Sequence, residues 1–172
     1  MNEVVEQLRI DGVRKGLCQE WQNKLQGDLN IEEMAKLFLA GINFCIKVNH
    51  PQLAFLRKHF KGTTDQYGVY IDTEKSDEVV KNRETVVLNG DCDMCLMYNG
   101  YNVSSVYARH SSRAAITVFD HALVMIDVFD EATVAVAAIG DKARVYVNLY
   151  GDAKADCTGA GIKVVKHNKK TY

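Results

Sequence analysis

The sequence predicts an α+β protein in which a small helical subdomain precedes a β-solenoid (β-helix-like) repeat region. Three observations carry that expectation. Apolar residues recur at helical spacing through residues 1–62. Across 103–165 they alternate with a period of two, and no helical pattern fits between the resulting segments. Within that stretch Ala122, Ala132, Ala143 and Ala153 recur at 10, 11 and 10 residues, marking a short internal repeat.

The chain has 172 residues, 47% hydrophobic and 25% charged, with one Pro and a formal charge of −1. That composition excludes a disordered or collagen-like chain. The near-zero charge argues against a dedicated duplex nucleic-acid binder, which leaves a basic footprint. Glu3, Glu6 and Asp11 interrupt the N-terminal stretch, so no signal-peptide core is read there, and no apolar run reaches the length of a membrane span. The expected location is the cytoplasm, or a virion for a phage-encoded protein. Five scattered cysteines then read as reduced thiols.

The first helical run carries Val4, Leu8, Leu17, Trp21 and Leu25, with a break or kink expected at Asp11-Gly12. The next, NIEEMAKLFLAGINFCIKV, opens on Asn30 with Glu33 three residues on, the spacing of a capping box. Ile31, Met34, Phe38, Gly41, Cys45 and Val48 share its apolar face. A third short helix is expected from Pro51, at the position where a missing N–H costs least, through Leu53, Leu56 and Phe60 to a stop at Gly62.

Residues 63–93 carry eight acids against Lys75, Lys81 and Arg83, a local charge of −5. They read as an acidic linker with two short strands, GVYID and TVVLNG, and a solvated DTEKSDE loop between them. An acidic docking surface is the alternative.

Residues 94–172 form the β-repeat domain. Ala122, Val124, Ile126 and Val128 make one inward set. Ala132, Val134, Val136 and Ala138 make the next, and Ala143, Val145, Val147 and Leu149 the third. Corners fall at Asp120-His121, Asp130-Glu131, Gly140-Asp141 and Gly151-Asp152. The recurring small Ala favours a solenoid, whose corners must let neighbouring arms come close. An antiparallel β-sandwich or barrel is the alternative.

No catalytic motif is present: neither GxSxG, HExxH nor a phosphate-binding Gly-rich loop occurs, so no enzyme, catalytic residue, cofactor or metal site is expected. Cys92 and Cys95 form a lone C-x-x-C, whereas a structural zinc site needs four ligands. Asp120, Asp130, Asp141 and Asp152 suit strand corners, where their carboxylates bond to backbone; a cation- or carbohydrate-binding ladder is the alternative. Arg109, His110 and Arg113, with the nearby Tyr98, Tyr101 and Tyr107, are the candidate ligand-binding residues. The basic C-terminal KVVKHNKKTY reads as a solvated tail.

If the alternation holds, Leu123, Met125 and Phe129 point outward with only Asp127 charged, followed by Thr133, Ala135, Ala137 and Ile139 with no charge. Arg144, Tyr146, Asn148 and Tyr150 look like a wetter rim. Apolar surface of this kind is normally covered. A homo-oligomer is therefore expected, a trimer in preference to a dimer, with Leu123, Met125, Phe129, Ile139 and Tyr146 as its face. Other protein partners remain open, and neither a membrane nor duplex nucleic acid is expected as a partner.

The blocks GLCQEW (Gly16–Trp21), GINFCI (Gly41–Ile46) and VVLNGDC (Val86–Cys92), together with the VFD-x-A and YGDA corners, resemble small uncharacterised proteins of gut Bacteroidales and their phages or prophages. The resemblance implies a helical N-terminus before a solenoid-like C-terminus and assigns no functional residue. The function expected is that of a non-enzymatic structural or protein-interaction protein, such as a virion component or host modulator. A nucleotide- or sugar-binding module is the first alternative, and a carbohydrate-active enzyme without a local motif the second.

Overall fold

A computed structural model describes residues 3–172 and divides into two compact units, one ending at Tyr67 and the other spanning Gly68–Thr171. The first holds, among the described residues, five α-helices: α1 (Glu3–Arg14), α2 (Gln19–Lys24), α3 (Ile31–Ala40), α4 (Ile42–Lys47) and α5 (Leu53–His59). The capping box forms as its spacing predicts. The Asn30 side chain accepts the Glu33 amide at 2.9 Å, and the Asn30 amide donates to Glu33 Oε2 at 2.8 Å.

Three helical expectations are corrected. α1 runs through Asp11-Gly12 unbroken, and Gly12 allows a close approach there: a Cβ would lie 3.0 Å from Leu17 Cδ2 and 3.2 Å from His50 Nε2. The long second helix is instead two, since Gly41 adopts φ −99 and ψ 15, ending α3 and opening α4 beneath the Trp21 ring. Pro51 follows a cis peptide and lies outside α5, whose N-cap is Gln52.

The second unit is a parallel β-solenoid of about 5 turns. Its strands are β1 (Val69–Ile71), β2 (Glu74–Lys81), β3 (Thr85–Asn89), β4 (Asp93–Tyr98), β5 (Val103–Ala108) and β6 (Arg113–Val118). They continue as β7 (Leu123–Val128), β8 (Thr133–Ala138), β9 (Arg144–Leu149), β10 (Lys154–Thr158) and β11 (Ile162–Lys166). Odd strands stack in the order β1-β3-β5-β7-β9-β11 and even strands as β10-β8-β6-β4-β2, so each coil gives one strand to each sheet. Every neighbouring pair is parallel, which excludes the antiparallel sandwich or barrel. Asp93, Arg113 and Thr133 align, fixing the coil at 20 residues, two repeat units.

Corner chemistry explains why consecutive strands do not form hairpins. A two-residue type I′ hairpin needs two successive residues at positive φ. Here each corner has one: Gly90, Gly100, His110, Asp120, Asp130, Gly140 and Gly151 occupy equivalent stations at φ 57 to 85. One left-handed residue swings the chain across the core to the other sheet instead of back along itself. The side chain at this station then reaches the preceding coil. Asp120 Oδ2 accepts the Gly100 amide at 3.0 Å, Asp130 Oδ2 the His110 amide at 2.9 Å, and His110 Nδ1 the Gly90 amide at 3.0 Å. Corner amides that the strand ladder cannot use are satisfied in this way.

The three inward sets form one continuous core. Ala122, Val124, Ile126, Val128, Ala132, Ala143 and Val147 are fully buried, and Val134, Val136, Ala138, Val145 and Leu149 nearly so. The same core runs back through Met94, Leu96 and Tyr98 to Leu88 and Val86. The segment read as an acidic linker belongs to this stack. GVYID and TVVLNG supply β1 and β3, and DTEKSDE, expected as a loop, opens β2. Its acids are compatible with a strand because β2 is the terminal strand of the even sheet, its Glu74, Asp77 and Glu78 are exposed, and its register slips between Lys75 and Val79. Charges and an irregular register keep an edge from pairing with another chain. At the other end the exposed Lys154, Lys163 and Lys166 lie in the last strands and act in the same manner.

Candidate functional site

The solenoid distributes the sequence candidates over separate surfaces. Tyr98 lies inside the core, fully buried, and burial pushes its phenol far above the ordinary value. Tyr107 stands on the outer face of the odd sheet, half-buried beside Asp127, and burial raises its phenol as well. Arg109 and His110 form an odd-to-even corner. Arg109 is 3% exposed and its Nη1 donates to Asn89 Oδ1, at 3.4 Å, one coil earlier. Arg113 is on the outer face of the even sheet, paired with Asp93 at 3.0 Å. Tyr101 is on the opposite corner edge, 82% exposed. These six residues do not converge on one site.

Cys92 is buried, its thiol donates to Asn89 O at 3.3 Å, and burial pushes its pKa up. Cys95 points to the outer face and donates to Ser76 O at 3.2 Å. The two thiols lie on opposite sides of the even sheet, Cys92 inward just before β4 and Cys95 outward within it. Among the described residues no group of three or more His, Cys, Asp or Glu side chains is placed to share a metal ion. No helix of the described residues is long and apolar enough to cross a membrane.

The outward residues divide more finely than sequence alternation suggests. Successive arms belong to opposite sheets, so Leu123 and Met125 share no face with Thr133, Ala135 and Ala137. On the odd sheet Val103 aligns with Leu123, and Met125 with Tyr146. Val103 is 68% exposed, Met125 50% and Tyr146 43%, with Leu123 half-buried between them. Three adjacent strands thus present a contiguous apolar strip. Its margin holds Arg144, Lys163 and the Asp127 carboxylate, which accepts the Asn148 amide at 2.8 Å. The even sheet shows small residues instead: Ala115, Ala135, Thr117 and Ala137.

Phe129 and Ile139, placed by the sequence on the oligomer face, occupy corners. Phe129 is 2% exposed because it stacks on Tyr150 at 4.8 Å, and Tyr150 stacks on His167 at 4.4 Å. Corner residues of successive coils lie above one another, so rings there meet face to face and strand alternation no longer sets their direction. Ile139 is 57% exposed on the opposite edge. It lines an open groove of about 700 Å³ with Tyr101, Phe119, Asp120, His121, Asp141 and Lys142. The exposure of Val103 and the meeting of Tyr101 with His121 were both missed from sequence; the 20-residue spacing of that pair, one coil, is the signal that reveals it.

Comparison of the chain with protein families, with curated proteins and with solved structures finds no match in any of the three.

Proposed function

We propose that this protein is a non-enzymatic structural or protein-interaction component that acts as a homo-oligomer through the outer face of its odd-numbered sheet. The observation that carries the reading is the strip of Val103, Leu123, Met125 and Tyr146 across β5, β7 and β9. The exposed face of a β-sheet ordinarily alternates to polar residues, and contiguous apolar surface there marks a contact. The polar margin of Arg144, Asp127, Asn148 and Lys163 suits the rim of such a contact. A phage-linked origin, as virion component or host modulator, agrees with the resemblance of its sequence blocks; a trimer is then the favoured state and a dimer the alternative.

Light scattering on the purified chain at tens of micromolar tests this. The expected result is an oligomer that Val103→Lys/Met125→Lys converts to a monomer with an unchanged far-UV circular dichroism spectrum, since both side chains are at least half exposed. A monomeric wild-type protein, or an oligomer indifferent to the double substitution, contradicts the assignment. A second reading, binding of a small ligand, is favoured by the open corner groove at Tyr101 and His121.

A further inference from the structure

The even-to-odd corners of three successive coils, 99–102, 119–122 and 139–143, lie one above another. At one station of the first two, Tyr101 and His121 stack with centroids 4.7 Å apart and planes 16° from parallel. The third corner carries Asp141 and Lys142 there and is one residue longer, so the column of rings stops after two. Where a third ring would continue the column lies the groove, with the exposed Ile139 in its lining. The opposite edge is the contrast: Phe129, Tyr150 and His167 form an uninterrupted stack in which Phe129 and Tyr150 are buried. Tyr101 is 82% exposed, so its ring serves no comparable packing role.

The polar groups around these rings define what fits. Asp120 is held beside them by the Gly100 amide at 3.0 Å, and Asp141 stands 3.3 Å from Lys142 Nζ. Two carboxylates against one ammonium disfavour a phosphorylated or sulfated ligand. They favour a neutral one that donates hydrogen bonds from several hydroxyls. Ring faces and Ile139 call for a ligand with apolar C–H faces, and a groove crossing three coils, spaced about 4.8 Å, suits an extended chain rather than an enclosed small molecule. We propose that this groove binds a neutral oligosaccharide, a sugar face against the open face of His121, whose other face Tyr101 backs, and its hydroxyls donating to Asp120 and Asp141. The proposal rests on the ligand-binding reading of the groove.

Saturation-transfer NMR on the full chain tests it, with maltohexaose, cellohexaose, xylohexaose, mannohexaose and chitohexaose as neutral probes and AMP and GMP as anionic planar ones. At least one saccharide is expected to bind. His121→Ala is expected to weaken that binding by about tenfold, the scale of one lost aromatic contact, and Tyr101→Ala, which removes the ring backing His121, by a smaller factor. Both residues are exposed, so an unchanged urea midpoint separates lost binding from lost fold. Saccharide binding that survives both substitutions overturns the site. Nucleotide binding alone overturns the saccharide assignment and leaves the groove a ligand site. Silence from every probe overturns both.

Discussion

Ile126→Asp is expected to abolish folding of the solenoid, while Thr133→Asp leaves the urea midpoint nearly unchanged. Ile126 is fully buried between Val106 and Val147 of the neighbouring coils, within the apolar core. Burying a carboxyl there costs several kcal/mol whether it stays charged or takes up a proton, and also removes the apolar contacts of the Ile side chain. Set against a total stability of about 5–15 kcal/mol, that suffices to unfold the unit. Thr133 lies on the outer face of the even sheet between Arg113 and Lys154, so a carboxylate there meets two cations and water. Denaturant titration followed by far-UV circular dichroism checks the pair. Equal damage from both would mean that the inward and outward phases have been confused.

Ala132→Leu is expected to lower stability by about 1–3 kcal/mol, the range for forcing extra methylenes into a filled core. The recurring alanines are fully buried at Ala122, Ala132 and Ala143 and 3% exposed at Ala153, each on the inner side of a corner. The Thr133 amide donates to Ser112 O and the Lys154 amide to Ala132 O, both at 3.0–3.1 Å, so coils above and below fix the space around Ala132. Ala135→Leu, on the exposed face of the even sheet, is the matched control and is expected to change the midpoint little. A neutral Ala132→Leu would show room at the corner and remove the reason for the repeat's small residue.

Much of the β unit was legible because its periodicity is strict. Val124, Ile126 and Val128 alternate with Leu123, Met125 and Asp127, and the structure buries the first set completely. The corner pairs were legible for a local reason, since Gly and Asp tolerate the left-handed backbone that one residue of each corner adopts. Sheet membership was not legible. The repeat of about ten residues is half a coil, so consecutive arms look alike in sequence while belonging to opposite sheets. That is why alternation alone joins Met125 and Ala135 into one surface. β2 was hidden by its charges, which an exposed edge strand accommodates, and α1 was cut at Gly12 because the proximity of Leu17 and His50 is a tertiary fact.

The candidate sites follow the same division. Tyr101 was visible as an aromatic beside polar residues, but its partner His121 is defined only once the 20-residue coil is known. Arg109 and Arg113 look adjacent in sequence, yet the corner buries the first and leaves the second exposed on the even sheet. Side chains four residues apart across a corner need not share a surface.

Every surface assigned here depends on coils stacking in parallel, and backbone NOEs in an isotopically labelled sample test that stacking most directly. Parallel stacking predicts interstrand amide–amide and amide–α contacts that join Met125 to Ser105 and to Tyr146, one coil away on either side. It predicts none between the backbones of Met125 and Ala135, which lie on opposite sheets. Backbone contacts linking β7 to β8 as a hairpin, with none between β7 and β9, would contradict the solenoid and with it the oligomer strip and the corner groove.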